Sequence, residues 1–385
     1  MNIEIYPLDY PLETDTSGFE LEDAVTTLRV QARDTAIRQA HTRRISGQNS
    51  SSNQSRLCGS KPFPMPLTQR GQKQQPLQTL LGRHCFTAGG RGYAGNMRTA
   101  LAFYFDTETN TAIGLFVSVV RSYMATLSTL TSGFFCGGGH YLLYTLMEEL
   151  TYAKPSVAAI GATLSQARLG PVGFGNSVVG VIAGGMIITG ATVRTTGEFT
   201  YATKTNVSLG DRLVEARMAP HNGAALATTG FIFGGTSQPW TLTNFKLNSE
   251  AYTFGSKTFA IVAANLSHPH QSHACFASRL RAYICGGFTA AWAFSNVITG
   301  FTFSGQTNAP LSAVIPSGDK VCCDGTGSSL NGYILGGDAA ASFFSGLKSI
   351  DRLNYGTETT AVLGMQLVQS IADNGAVQDY LPSLV

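Results

Sequence analysis

The residues with the most chemical potential are three imidazoles within six positions, His268-Pro269-His270-Gln271-Ser272-His273. His268 and His270 alternate as two strand-borne ligands would. Pro269 instead favours a loop, and no Cys or acid completes a zinc set at a known spacing. A polar turn is expected there, and no metal. The adjacent pair Cys322-Cys323 lacks the two intervening residues of a thioredoxin-like site and reads as a strand residue followed by a turn residue. Gly89-Gly90-Arg91-Gly92-Tyr93-Ala94-Gly95 has the glycines of a phosphate loop without the helix that should follow. There is no Gly-x-Ser-x-Gly elbow, and carboxylates beyond residue 80 are too sparse to suggest the acid pair of a glycosidase. These patterns point to no catalytic residue and no cofactor, so the chain is not expected to be an enzyme.

The elements that position these residues recur. A short apolar run ending in Gly-Gly appears at Gly89-Gly90, Gly137-Gly138, Gly184-Gly185, Gly234-Gly235, Gly286-Gly287 and Gly336-Gly337, about every fifty residues. A period of that size with strand-like units predicts propeller blades. Each run is rich in β-branched and aromatic residues and is stopped by glycines, as a buried strand is. Alternating segments follow at Leu101 to Phe105, Gly197 to Tyr201, Thr243 to Leu247, Thr299 to Phe303 and Ser349 to Tyr355, and a turn and a fourth apolar run complete a four-stranded unit. Arg121, Arg168 and Arg217 stand at a near-constant distance ahead of their glycine pairs. Side chains that recur with the repeat are expected to bond carbonyls between blades rather than a ligand.

Residues 81–385 therefore predict an all-β, six-bladed β-propeller. The first unit lacks an innermost strand, and 368–380 follows the last unit as an unpaired extra strand; pairing the two would close the ring. Ahead of it, residues 1–45 predict an arm and a helix from about Phe19 to Arg44, with acids at its start and arginines at its end. Leu21, Val25, Leu28 and Ala32 form a stripe on that helix that would dock on other chains. Residues 46–80, rich in Ser, Asn, Gln and Pro, read as a linker.

Only 13% of residues are charged, against ~25% for an ordinary soluble domain. That composition suits a protein packed among neighbours. A net charge of +3 without a basic, aromatic-interleaved tract excludes nucleic acid as an expected partner. Seven cysteines, several just before the glycines, predict buried reduced thiols. No signal peptide and no apolar run of membrane-spanning length stands out, so synthesis in a cytoplasm is expected.

The signature aromatic-Ile-x-Gly-Gly, loop, then Phe-x-Phe or Leu-x-Tyr resembles the kelch-type repeat. It is most similar to the divergent, tryptophan-poor version in tail fibres and other virion proteins of bacteriophages. The resemblance covers about four fifths of the chain, Leu81 to Val385. No Tyr-then-Trp pair follows the glycines, and Trp240 and Trp292 lie in loops, unlike the eukaryotic pattern. The resemblance implies a virion structural protein of a tail fibre, baseplate or head decoration. By it, residues 1–80 would join other virion proteins in an oligomeric assembly. The propeller would meet a host-surface glycan or protein. The loops after the glycines are the expected recognition face, through Tyr141, Tyr144, Trp240, Trp292, Phe294, Phe343 and Phe344. The rival readings are a cytoplasmic kelch-type interaction module and an oxidase or lyase on the same scaffold.

Overall fold

The computed structural model describes residues 84–379 apart from 93–94, 140–141, 219–220, 239–242, 291–292 and 341–345. The expected arm, helix and linker, including Leu21, Val25, Leu28 and Ala32, lie outside the described residues. The rest is an all-β propeller of six four-stranded blades. From the axis outward, blade 2 runs Ala125–Ser128, Ser132–Cys136, Leu146–Thr151 and Ser156–Thr163. Blades 3 to 6 open on Val172–Gly175, Ala224–Ala225, Ala274–Ala277 and Asp324–Gly327. Blade 1 takes its inner strand from the other end of the sequence: Gly375–Gln378 pairs antiparallel with His84–Ala88, followed outward by Thr99–Tyr104 and Thr109–Phe116.

Burial decreases outward within each blade. Second strands such as Ser132–Cys136 are buried throughout, whereas the outer strand Ser156–Thr163 has no buried residue. Six apolar clusters each fill the space between two neighbouring blades, Phe134 and Phe199 between blades 2 and 3 and Phe231 and Phe301 between blades 4 and 5. No blade covers its own faces, so each depends on the next.

The double glycines have a definite task. All twelve have positive φ, which a Cβ would strain. The second N–H of every pair donates to the residue that opens the next blade: Gly90 to the Arg121 carbonyl, Gly138 to Arg168, Gly185 to Arg217, Gly235 to His270, Gly287 to Lys320 and Gly337 to Ile371, at 2.8–3.0 Å. The glycine pair is thus the bolt between blades.

A second size match repeats at the start of the buried strand. A Cβ on Gly180 would strike Leu127 of the preceding blade, one on Gly230 would strike Phe174, one on Gly332 would strike Phe276, and one on Gly133 would strike Val377. Where the preceding blade supplies only Ala224, the matching position is Ala282, and both are buried in the same cluster. Large faces glycine, and small faces alanine.

One expected strand is displaced. Thr243–Phe245 pairs with Thr236–Gln238 in a small surface hairpin, and the third strand of blade 4 is Ser249–Thr253. Blade 4 has an unusually long loop after its glycines, which holds an extra alternating segment. Only the later segment meets Thr229–Phe233.

Candidate functional site

The charged residues that recur with the repeat form a bridge at the head of each blade. Arg121 donates through Nη1 to the Gly137 and Leu146 carbonyls at 2.7 and 3.0 Å, and through Nη2 to the Glu148 carboxylate. Glu148 also accepts from the Ser118 amide at 2.7 Å, tying down the connection from blade 1. Arg217 and Glu250 repeat this with the Val214 amide, and Lys320 and Asp351 repeat it with the Ser317 amide. In blade 5 the pair is His270 and Thr299. His270 Nδ1 lies 2.7 Å from the Gly286 carbonyl and Nε2 lies 3.0 Å from the Thr299 hydroxyl. In blade 1 the same places hold Ile371 and Leu101, both buried. Cation with acid, imidazole with hydroxyl, and alkyl with alkyl are three chemical solutions to one position. Burial pushes the His270 pKa down to about 4, against the effect of its Gly286 bond, so the ring is neutral and structural. Both nitrogens of the middle imidazole of the histidine run are committed to these bonds.

Below the glycine loops the chain makes a hoop around the axis. Tyr123, Ser272, Cys322 and Asp373 occupy equivalent places with φ between 53° and 57°, and Gly170 has φ 60°. Each N–H donates to the equivalent carbonyl of the preceding blade: Tyr123 to Asp373, Gly170 to Tyr123, Cys322 to Ser272 and Asp373 to Cys322, at 2.7–2.9 Å. The two remaining links would involve residue 219, outside the described residues. Over this hoop Arg91 pairs with Asp373 through Nε and with Asp338 through Nη2 at 2.8 Å. The Tyr123 hydroxyl lies 3.9 Å from the Cys322 sulfur, and Phe245, Phe288 and Phe294 pack above. Donor atoms of Cys322, Asp338 and Asp373 lie within 4.8 Å of one another. Arg91 bonds one oxygen of each carboxylate and so locks blade 6 to blade 1. Cys322 is the left-handed turn residue and Cys323 leads into the inner strand, the reverse of the sequence reading. The six described cysteines are free and buried, and burial raises their pKa values above the ordinary thiol range. They are inert thiols.

The other half of the axis contains a cavity of about 90 Å³ lined by all six inner strands, including Thr126, Asn222, Ala376 and Gln378. It is roomy enough for about three waters. A hydrogen-bonded chain crosses it from Thr126 Oγ1 to Asn222 and on to Asp324 at 3.4 Å. Desolvation drives Asp324 up to about 7, although the Gly325 and Ala376 amides oppose the rise. A carboxyl that holds its proton better folded than unfolded adds stability below its unfolded pKa. That stability is lost as pH rises from about 4 through about 7. Asp324→Asn is expected to abolish the loss, gaining up to ~4 kcal/mol over wild type at pH 8 and far less at pH 4.5. Urea unfolding at both pH values checks this, and equal pH dependence in the two proteins would disprove it.

The expected recognition loops are only partly described. Tyr144 and Phe294 are half-buried, and Phe294 packs edge-on against Phe288 at 5.2 Å as part of the cover on the hoop. Tyr141, Trp240, Trp292, Phe343 and Phe344 lie outside the described residues. The opposite face presents apolar side chains that sequence reasoning missed. Val178, Leu280 and Leu330 occupy equivalent places in the inner turns and are 62%, 75% and 68% exposed. Two adjoining open grooves of about 710 and 760 Å³ run beside Leu226, Arg279, Leu280, Leu330 and Tyr355. The available signal was a hydrophobic residue two positions before the small residue of the buried strand in three of the blades. No protein-family model matches the chain, and comparison with curated proteins finds no match.

Proposed function

We propose that this propeller is a non-catalytic recognition and assembly protein, a bacteriophage virion component of the tail-fibre, baseplate or decoration kind. In this reading residues 1–80 attach it to other virion proteins in an oligomeric particle, and the propeller presents a docking face to a host-surface glycan or protein. The observation that carries the reading is the set of exposed Val178, Leu280 and Leu330 at equivalent turns, of which Leu280 and Leu330 line grooves containing Arg279 and Tyr355. Exposed aliphatic side chains along grooves lined by an aromatic and an arginine have the make-up of binding surfaces. The buried charges support it from the other side, because the pairs traced above are engaged in holding blades together. Likeness to the kelch-type repeat supplies the virion setting.

The test uses the full chain with Leu280→Arg and Leu330→Arg together, in exposed turns where folding is unaffected. Binding to intact host-cell envelopes should fall at least tenfold while incorporation into particles is retained. Undiminished binding would refute the docking face. Unimpaired incorporation of a chain lacking residues 1–60 would refute the anchor.

A further inference from the structure

The residue after each glycine pair occupies one equivalent place in the ring, and the left-handed hoop residue occupies another. In blades 2 to 5 the first place holds Gly139, Met186, Thr236 and Phe288, and the described hoop residues of those blades are Tyr123, Gly170 and Ser272. None of these is a carboxylate, a cation or a thiol, so the fold itself does not demand one there. At the seam between blades 6 and 1 the same two places hold Asp338 with Cys322 and Arg91 with Asp373. Cys322, Asp338 and Asp373 are at most 1% exposed, and one ligand atom from each lies within 4.8 Å of the others. Arg91 takes only Oδ2 of each carboxylate. Asp338 Oδ1 accepts from the Gly346 amide at 2.9 Å, and the buried Asp373 Oδ1 completes no hydrogen bond.

We infer that Cys322, Asp338 and Asp373 form a zinc site that staples blade 6 to the strand closing blade 1. Tetrahedral zinc, with bonds of ~2.3 Å to sulfur and ~2.1 Å to oxygen, sets its ligand atoms about 3.5 Å apart, so a side-chain closure of about 1 Å completes the site. One thiolate with two carboxylates suits zinc rather than the hard cations magnesium and calcium, which take oxygen alone. The Zn–S bond forms as the S–H bond breaks, and the proton leaves to solvent. Charge favours the exchange. Two carboxylates against one guanidinium leave a buried excess of one negative charge; two carboxylates and a thiolate against the guanidinium and Zn2+ leave none. Arg91 and the Gly346 amide then hold the ligating carboxylates from behind, as outer partners of a metal site do. The fourth position falls to water or to the Tyr123 hydroxyl, which lies 3.9 Å from the Cys322 sulfur. Asp373 belongs to the segment that returns to blade 1, so the staple acts where the ring closes.

The full-length protein is stripped with a chelator and then given Zn2+ or Co2+. Elemental analysis after gel filtration should find one zinc per chain, and Tm should rise by ~5 °C at a free zinc concentration about a hundred times Kd. Co2+ should produce the near-ultraviolet absorption of a thiolate–metal bond. That band should vanish in Cys322→Ser and persist in Cys323→Ser, whose sulfur stands 4.0 Å from the Cys285 carbonyl oxygen. Asp338→Asn should weaken zinc binding about tenfold or more. Retention of no zinc, or a cobalt band that survives Cys322→Ser, would overturn the inference. Should Cys322→Ser not fold, X-ray absorption at the zinc edge of the wild-type protein decides. One sulfur at ~2.3 Å beside oxygen ligands is expected, and a shell with no sulfur or with several would refute the site.

Discussion

Ending the chain at Ser370 is expected to leave no folded propeller. The lost segment contains Gly375–Gln378, the innermost strand of blade 1, and its four paired positions with His84–Ala88. Val377, which fills the space over Gly133 of blade 2, goes with it. So do Gln378, whose Oε1 accepts from Thr326 Oγ1 and the Gly327 amide at 2.8 and 2.6 Å, and Asp373, which carries two links of the hoop and the Arg91 pair. The damage therefore reaches blades 1, 2 and 6 together. In a ring where each blade covers its neighbours, an open inner edge is not confined to one blade. The shortened chain should show no cooperative thermal transition and should elute as aggregate, whereas a chain ending after Asp379 keeps every one of these contacts and should melt like wild type. A monodisperse, cooperatively unfolding product ending at Ser370 would show that five full blades and a three-stranded sixth suffice.

The second large effect concerns Phe276 and Gly332. Gly332→Ala puts a methyl inside the ring of Phe276, an overpacking expected to cost ~1–3 kcal/mol or slightly more. Phe276→Ala empties the contact and should cost ~3–5 kcal/mol. The double variant recreates at the blade 5–6 boundary the Ala224–Ala282 pair already found at the blade 4–5 boundary. It should be no less stable than Phe276→Ala alone, a coupling of about 1–3 kcal/mol in favour of the pair. A guanidinium-unfolding cycle measures it. Strict additivity of the two losses would mean that the glycine is there for a reason other than its neighbour.

Much of this architecture is legible in the amino-acid order, because the repeat is written in backbone-determining residues. The glycine pairs mark one end of each buried strand and are spaced by a blade, so strand number and ring size follow from counting. Thr243–Phe245 shows the limit: an alternating run was assigned to the sheet, and only pairing with Thr229–Phe233 could tell it from Ser249–Thr253. The arginines read as structural from their periodicity alone. Their partners did not, since Glu148 and Glu250 stand about thirty residues away, as Asp351 does from Lys320. The absence of an acid opposite Arg168 becomes visible only when strand register aligns Gly197 with those acids. The Asp324 network was equally hidden. It joins Thr126, Asn222 and Asp324 from three blades, and nothing local in the chain announces their meeting.

The hoop of left-handed residues has a topological consequence. Because each link runs between neighbouring blades rather than within one, these peptide groups act as a tension band at the axis, with Arg91 and three phenylalanines packed beside it.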